Sequence, residues 1–150
     1  MLFRSLIGMS ILEIYTDGSY KNGWGSWAFV YVQNQKVIFE KSNRVKKTDS
    51  LRMEYQAAIE SLKLLPQGSQ AHLYSDCQIL IDNLKNLATW SENSWLNKNG
   101  FPIPNSDLLK KLHALVNEKS VTWKWVKAHA GIAFNERCDQ LCLQARKNSE

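Results

Sequence analysis

Ile14-Tyr15-Thr16-Asp17-Gly18-Ser19 and Leu73-Tyr74-Ser75-Asp76-Cys77-Gln78 are near copies of one another. In each, an apolar strand-like run ends in Tyr, then a small hydroxyl residue, then Asp. Carboxylates at strand ends are where an open α/β sheet places its ligands, in the crevice beyond the carboxyl edge of its strands. Two further acids stand in distinctive frames, Glu54 in Arg-Met-Glu-Tyr-Gln-Ala-Ala-Ile and Asp139 in Asn-Glu-Arg-Cys-Asp. Hard oxygen ligands of this kind suit Mg²⁺ or Mn²⁺, ions whose usual partner is a phosphate. The twin stretches therefore ask for a sheet with phosphodiester chemistry at its edge.

Working outward, Ser10 to Thr16 reads as a first strand, Trp24 to Val32 as a second and Lys36 to Ser42 as a third. In the third, Val37, Phe39 and Lys41 share one face and Ile38 and Glu40 the other. Short hairpin turns at 20–23 and 33–35 make these three an antiparallel meander. Leu51, Tyr55, Ala58, Leu62 and Leu65 then recur at helical spacing, with Asp49 or Ser50 as N-cap and Pro66 and Gly68 as the stop. A fourth strand at 71–75 precedes a helix over about 77–87. An irregular stretch follows from Trp90 to Pro104, then an amphipathic helix over 107–118. A strand at 120–126 and a helix over about 135–147 complete the pattern. Strands first, then helices alternating with strands, give an α/β fold: a five-stranded mixed sheet, three strands antiparallel and the rest parallel, with helices packed on it. Residues 11–148 form one domain on this reading, and residues 1–10 an N-terminal extension.

The 150 residues suffice for one domain with a real core. No stretch has the length and apolarity of a membrane span, and Glu13 and Asp17 interrupt any signal-peptide core, so a cytoplasmic protein without a membrane partner is expected. Cys77, Cys138 and Cys142 include no C-x-x-C pair, and Cys138 and Cys142 lie four apart on the apolar face of the last helix. They read as small buried hydrophobes. The net charge of +5 favours a polyanionic partner only weakly. Its distribution says more, because Lys41, Arg44, Lys46, Lys47 and Arg52 crowd a segment opposed only by Asp49 and running straight into Glu54. Gly23-Trp24-Gly25-Ser26-Trp27-Ala28 satisfies G-x-G-x-x-A, but Phe29-Val30-Tyr31-Val32 continues it as a strand rather than a helix. The context that would bind a nucleotide cofactor is absent, and none is expected.

Tyr-Thr-Asp-Gly-Ser at 15–19, Arg-Met-Glu with Ala-Ala-Ile at 52–59, Ser-Asp-Cys-Gln at 75–78, Trp-Val-Lys-Ala-His-Ala-Gly at 125–131 and Asn-Glu-Arg-Cys-Asp at 135–139 together closely resemble type 1 ribonuclease H. The blocks keep the family's order over about Ile11 to Lys147. The resemblance implies a metal-dependent endonuclease that cuts the RNA strand of RNA–DNA hybrids, working as a monomer. It implies that Asp17, Glu54, Asp76 and Asp139 bind two Mg²⁺ ions, with Mn²⁺ as a substitute, and that His129 assists proton transfer or product departure. It also implies that Asn22, Gln78 and Asn135 touch the hybrid. The basic segment adds Lys46 and Lys47 as phosphate contacts.

The chemistry agrees. In-line hydrolysis of a phosphodiester needs an activated water, a stabilised phosphorus and a less basic leaving oxygen, which a metal pair about 4 Å apart supplies and clustered carboxylates neutralise. Singly, each acid has an ordinary alternative: Asp17 starting a turn, Asp76 capping a helix, Glu54 facing solvent, Asp139 pairing with Arg137 or Lys147. A hybrid-binding module that does not cut would have lost a carboxylate, and none is lost. The stretch from Trp90 to Asp107, a basic handle in many relatives, has Lys98 as its only cation, and its Trp90, Trp95 and Phe101 are expected to pack it down.

Overall fold

Tight turns set the first half of the molecule. In the computed structural model, which describes residues 11–147, Asn22 and Gly23 have φ of 54° and 82°, and Asn34 and Gln35 have φ of 53° and 62°. Paired left-handed residues match the twist of antiparallel strands, so β1 (Leu12–Lys21), β2 (Trp24–Gln33) and β3 (Lys36–Lys46) fold back on one another. α1 (Ser50–Lys63) begins at Asp49, whose Oδ1 accepts the Arg52 backbone N–H at 2.8 Å. β4 (Gln70–Ser75), α2 (Gln78–Leu84), α3 (Leu87–Glu92), α4 (Ser106–Glu118), β5 (Ser120–Trp125) and α5 (Ala133–Lys147) follow. The sheet order is β3-β2-β1-β4-β5, with β1–β4 and β4–β5 parallel. This is the expected mixed sheet. Residues 1–10 and residue 148, on which the expected extension and domain boundary fall, lie outside the described residues.

Strand alternation divides the core in two. Trp27, Phe29 and Tyr31 of β2 face α1, whose Met53, Tyr55, Ala58, Ile59 and Leu62 are buried against them with Leu80, Leu87, Leu109 and Leu112 of the other helices. Ala28, Val30 and Val32 face the opposite way, onto Cys138, Leu141 and Cys142 of α5. The cysteines are free and the last two are buried, as their spacing implied.

Four expectations need correction. β3 runs on to Lys46, so the basic segment is largely an edge strand, not a connection. Its alternation is also broken. Tyr31 pairs with Phe39 but Val32 pairs with Val37, so Ile38 is an extra residue. A bulge of this kind turns successive side chains the same way, and Ile38 and Phe39 both pack on the first core while Val37 is exposed. Finally, the helix expected over 77–87 is two helices, redirected at Lys85–Asn86. Leu80, Leu84 and Leu87 fit one continuous helix equally well, so periodicity could not show the break. Trp90 lies within α3, and the irregular stretch starts only after it.

Candidate active site

The twin stretches lie side by side. β1 and β4 pair in parallel with Ile14 opposite Leu73 and Tyr15 opposite Tyr74, and the two tyrosine rings stack at 4.5 Å. The pairing stops there, leaving Asp17 and Asp76 each two residues past it. β1 itself continues beside β2 to Lys21, so Asp17 sits within a strand rather than at its end. Asp76 follows β4 directly. The N-cap position of α2 falls to Cys77, not Asp76, and its N–H is bonded to Ser75 Oγ at 3.0 Å. Gly18 does not make a turn. A Cβ there would stand 2.3 Å from both the Glu54 nitrogen and the Met53 carbonyl carbon. Its bare backbone lets β1 touch the first turns of α1, and this contact delivers Glu54 to Asp17.

Asp17, Glu54 and Asp76 each offer a carboxylate oxygen within 4.8 Å of the others. They line a cleft of about 240 Å³ with Gly18, Ser19, Ala128, His129, Asn135, Glu136 and Asp139. Burial, then the charges of Asp76 and Asp139, push the Asp17 carboxyl up to about 8, against a bond from the Gly18 N–H and the charge of Arg146. Burial and the neighbouring Asp17 and Asp76 hold Glu54 well above the usual carboxylate range. Its Oε1 is enclosed with no hydrogen-bond partner among the described residues. Burial also raises Asp76, opposed by a bond from Asn135 and by His129. Crowded acids with an orphaned oxygen fit a divalent cation, which needs hard oxygen ligands and removes the repulsion. Asp139 stands on the cleft wall, outside the tight group of three. Arg137 does not neutralise it, being bonded to Glu40 at 2.6 and 3.0 Å.

A family model described as RNase H matches residues 9–147. This chain belongs to the ribonuclease H family. Ribonuclease H of Hahella chejuensis (strain KCTC 2396) is 37% identical over 139 residues, covering 89% of this chain and 91% of its own. That of Zymomonas mobilis subsp. mobilis (strain ATCC 31821 / ZM4 / CP4) is 39% identical over 140 residues, covering 90% and 88%. The crystal structure of LC9-RNase H1, a type 1 RNase H with the type 2 active-site motif, superposes with a TM-score of 0.80 at 22% identity, covering 93% of this chain and 74% of that one.

Other residues of this ribonuclease H support the cluster from behind. Asn135, 4% exposed, gives its amide to Asp76, and its Oδ1 has no partner among the described residues. The Trp125 indole donates to the Asp76 carbonyl at 3.2 Å. The thiols of Cys138 and Cys142 donate to the carbonyls of Tyr15 and Asp17 at 3.2 and 3.6 Å, fastening α5 along β1. Arg146 donates to Ser19 Oγ, and to Ser26 Oγ at 3.2 Å. His129 projects from the loop after β5 with φ of 53°.

Asn22, Gln78, Lys46 and Lys47 do not line the cleft. Asn22 occupies the exposed β1–β2 turn, Gln78 bonds to Asp82 of its own helix at 2.9 Å, and Lys46 and Lys47 lie exposed at the end of β3. Sequence reasoning missed Gly18 as a contact point, Trp125 as a support and Arg146. Trp125 ends β5 and is 48% exposed, and no local pattern links it to the Asp76 carbonyl 49 residues away. Arg146 meets Ser19 across 127 residues, beyond the reach of any local pattern.

Proposed function

We propose that this ribonuclease H hydrolyses the RNA strand of RNA–DNA hybrids to 5′-phosphate and 3′-hydroxyl ends, with Asp17, Glu54, Asp76 and Asp139 holding Mg²⁺, or Mn²⁺ in its place. The observation that supports this most is the convergence of three carboxylate oxygens within 4.8 Å, one of the acids carrying an enclosed, unpartnered oxygen. Held by these acids, the ions would supply an activated water and charge relief at the leaving 3′-oxygen. The chain's own groups do the rest. Asn135 orients Asp76, Gly18 keeps Glu54 beside Asp17, and His129 takes up or returns a proton at the cleft mouth. Asn22, Lys46, Lys47 and Gln78, with Asn135, contact the hybrid. Phosphate contacts give most of the affinity without reading bases, and contacts to the 2′-hydroxyl select RNA. The protein works as a monomer in the cytoplasm on this reading. Among the described residues no helix is long and apolar enough to cross a membrane.

The test is incubation of purified protein with labelled RNA–DNA, RNA–RNA and DNA–DNA duplexes, with and without Mg²⁺. Mg²⁺-dependent cutting confined to the RNA of the hybrid is expected. Tight hybrid binding without cutting in Mg²⁺ would instead make the protein a binding module of the same fold.

A further inference from the structure

Beyond Asp17, alternate residues of β1 continue along the same face of the sheet, and the ladder sets cations beside them. Ser19 pairs with Ser26 and Ser26 with Arg44; Lys21 pairs with Trp24 and Trp24 with Lys46. The Arg44 guanidinium lies 4.9 Å from the centre of the half-buried Trp24 ring, and the Lys46 ammonium 4.6 Å from it. Two like charges gathered on one indole repel each other, and among the described residues neither makes an ion pair. Arg44 Nη1 is also enclosed without an acceptor among those residues. Glu40, the acid on this face of β3, is taken by Arg137. Arg146 adds a further cation at the Ser19–Ser26 row.

Such a group is stabilised by a polyanion. Contact with the indole holds each cation in place, which lowers the ordering cost when a phosphate arrives. The row of Lys21, Trp24 and Lys46 lies four residues beyond the row of Asp17, Ala28 and Ser42. At about 3.3 Å per residue that is roughly 13 Å, the axial length of about four nucleotides in one strand of a duplex. We propose that Trp24 and Arg44, with Lys46, form a phosphate shelf that holds the hybrid backbone about four nucleotides to one side of the cleft. The proposal rests on the ribonuclease H reading of the cleft. It supplies the grip that the 90–107 stretch, with its lone Lys98, does not.

The test uses duplexes in which a short RNA stretch within a DNA strand fixes the cleavage register, with flanking arms of about two or about six base pairs on either side. For the parent protein, lengthening one arm and not the other should lower KM several-fold. In Arg44→Gln and Trp24→Leu that arm effect should shrink toward none. The salt dependence of hybrid binding, read by fluorescence anisotropy in EDTA, should lose about one unit of slope in Arg44→Gln. Parental arm effect and parental slope in Arg44→Gln would overturn the shelf. Should Trp24→Leu lose melting temperature, Arg44→Gln alone decides. If the parent cuts nothing in Mg²⁺, the cleft reading fails, while the slope in EDTA still tests the shelf.

Discussion

Asp17 carries the most legible consequence at the scale of single residues. Its carboxyl is raised in the fold to about 8 from an ordinary value of 3.8. Between those values the folded protein holds a proton that the unfolded chain has lost, so this group's contribution to stability is fully present in acid and declines as pH climbs toward about 8. Without metal, the parent should melt lower at pH 8 than at pH 5. Asp17→Asn should flatten that decline and raise the melting temperature at pH 8 by roughly 3–6 °C, about 1–2 kcal/mol, while abolishing cleavage. Differential scanning fluorimetry in EDTA at both pH values, beside a cleavage assay, checks both parts. A mutant that melts lower than its parent at pH 8 would refute the electrostatic account. Gly18 gives the opposite sign. Gly18→Ala pushes a methyl into the backbone of α1 and should cost about 1–3 kcal/mol, with turnover falling because Glu54 is displaced. His129→Ala should slow turnover without ending it, since the acids remain in place; a pH–rate profile unchanged from the parent would exclude His129 from proton transfer.

Between elements, the stretch from α3 through the loop to α4 divides its aromatics. Trp90 and Trp95 pack against the first core, Trp95 edge-on to His113 at 5.9 Å. Phe101 is 66% exposed, contrary to the packing expected of all three. The loop closes on itself instead, through Asn97 N–H to the Phe101 carbonyl at 2.7 Å and the bridge between Leu96 and Pro102, and this closure turns the Phe101 ring outward. Trp95→Ala should therefore cost about 2 kcal/mol, below the 3–5 kcal/mol of a fully buried aromatic, whereas Phe101→Ala should stay within roughly 0.5 kcal/mol. Urea melts of the two variants separate these outcomes. Composition could announce three aromatics but not which would find a place. The same holds for β3, where a bulge at Ile38, opposite Tyr31 and Val32 of β2, undid an alternation that looked regular in the sequence.

For the molecule as a whole, divalent metal should act as a stabiliser as well as a reagent. A ligand present at a hundredfold its dissociation constant adds about 2.7 kcal/mol to a fold that alone binds it, so titrating Mg²⁺ or Mn²⁺ should raise the melting temperature of the parent and much less that of Asp17→Asn. Equal rises would place the ion elsewhere. Much of this architecture was readable because the same Tyr-hydroxyl-Asp frame recurs, and adjacent parallel strands in register turn a repeated word into neighbouring side chains. The frames of Glu54 and Asp139 singled out two more acids, and both line the same cleft. What could not be read depends on distant residues meeting: Arg146 with Ser19, Trp125 with Asp76, and Arg44 and Lys46 on Trp24. No spacing rule links those positions.

The fastening of α5 also bears on the order in which the molecule assembles. Its contacts reach back 97 residues from Arg137 to Glu40, 123 from Cys138 to Tyr15 and 125 from Cys142 to Asp17. The meander, by contrast, closes through two-residue turns. Local hairpins form early and distant closures late, because a long loop must lose its freedom before any contact rewards it. A chain emerging from the ribosome can thus build the sheet and the α1 side first, with Asp17, Glu54 and Asp76 already neighbours. Docking of α5 then brings Asp139 to the cleft and covers the other face, so the cleft wall is completed only when the most distant contacts close.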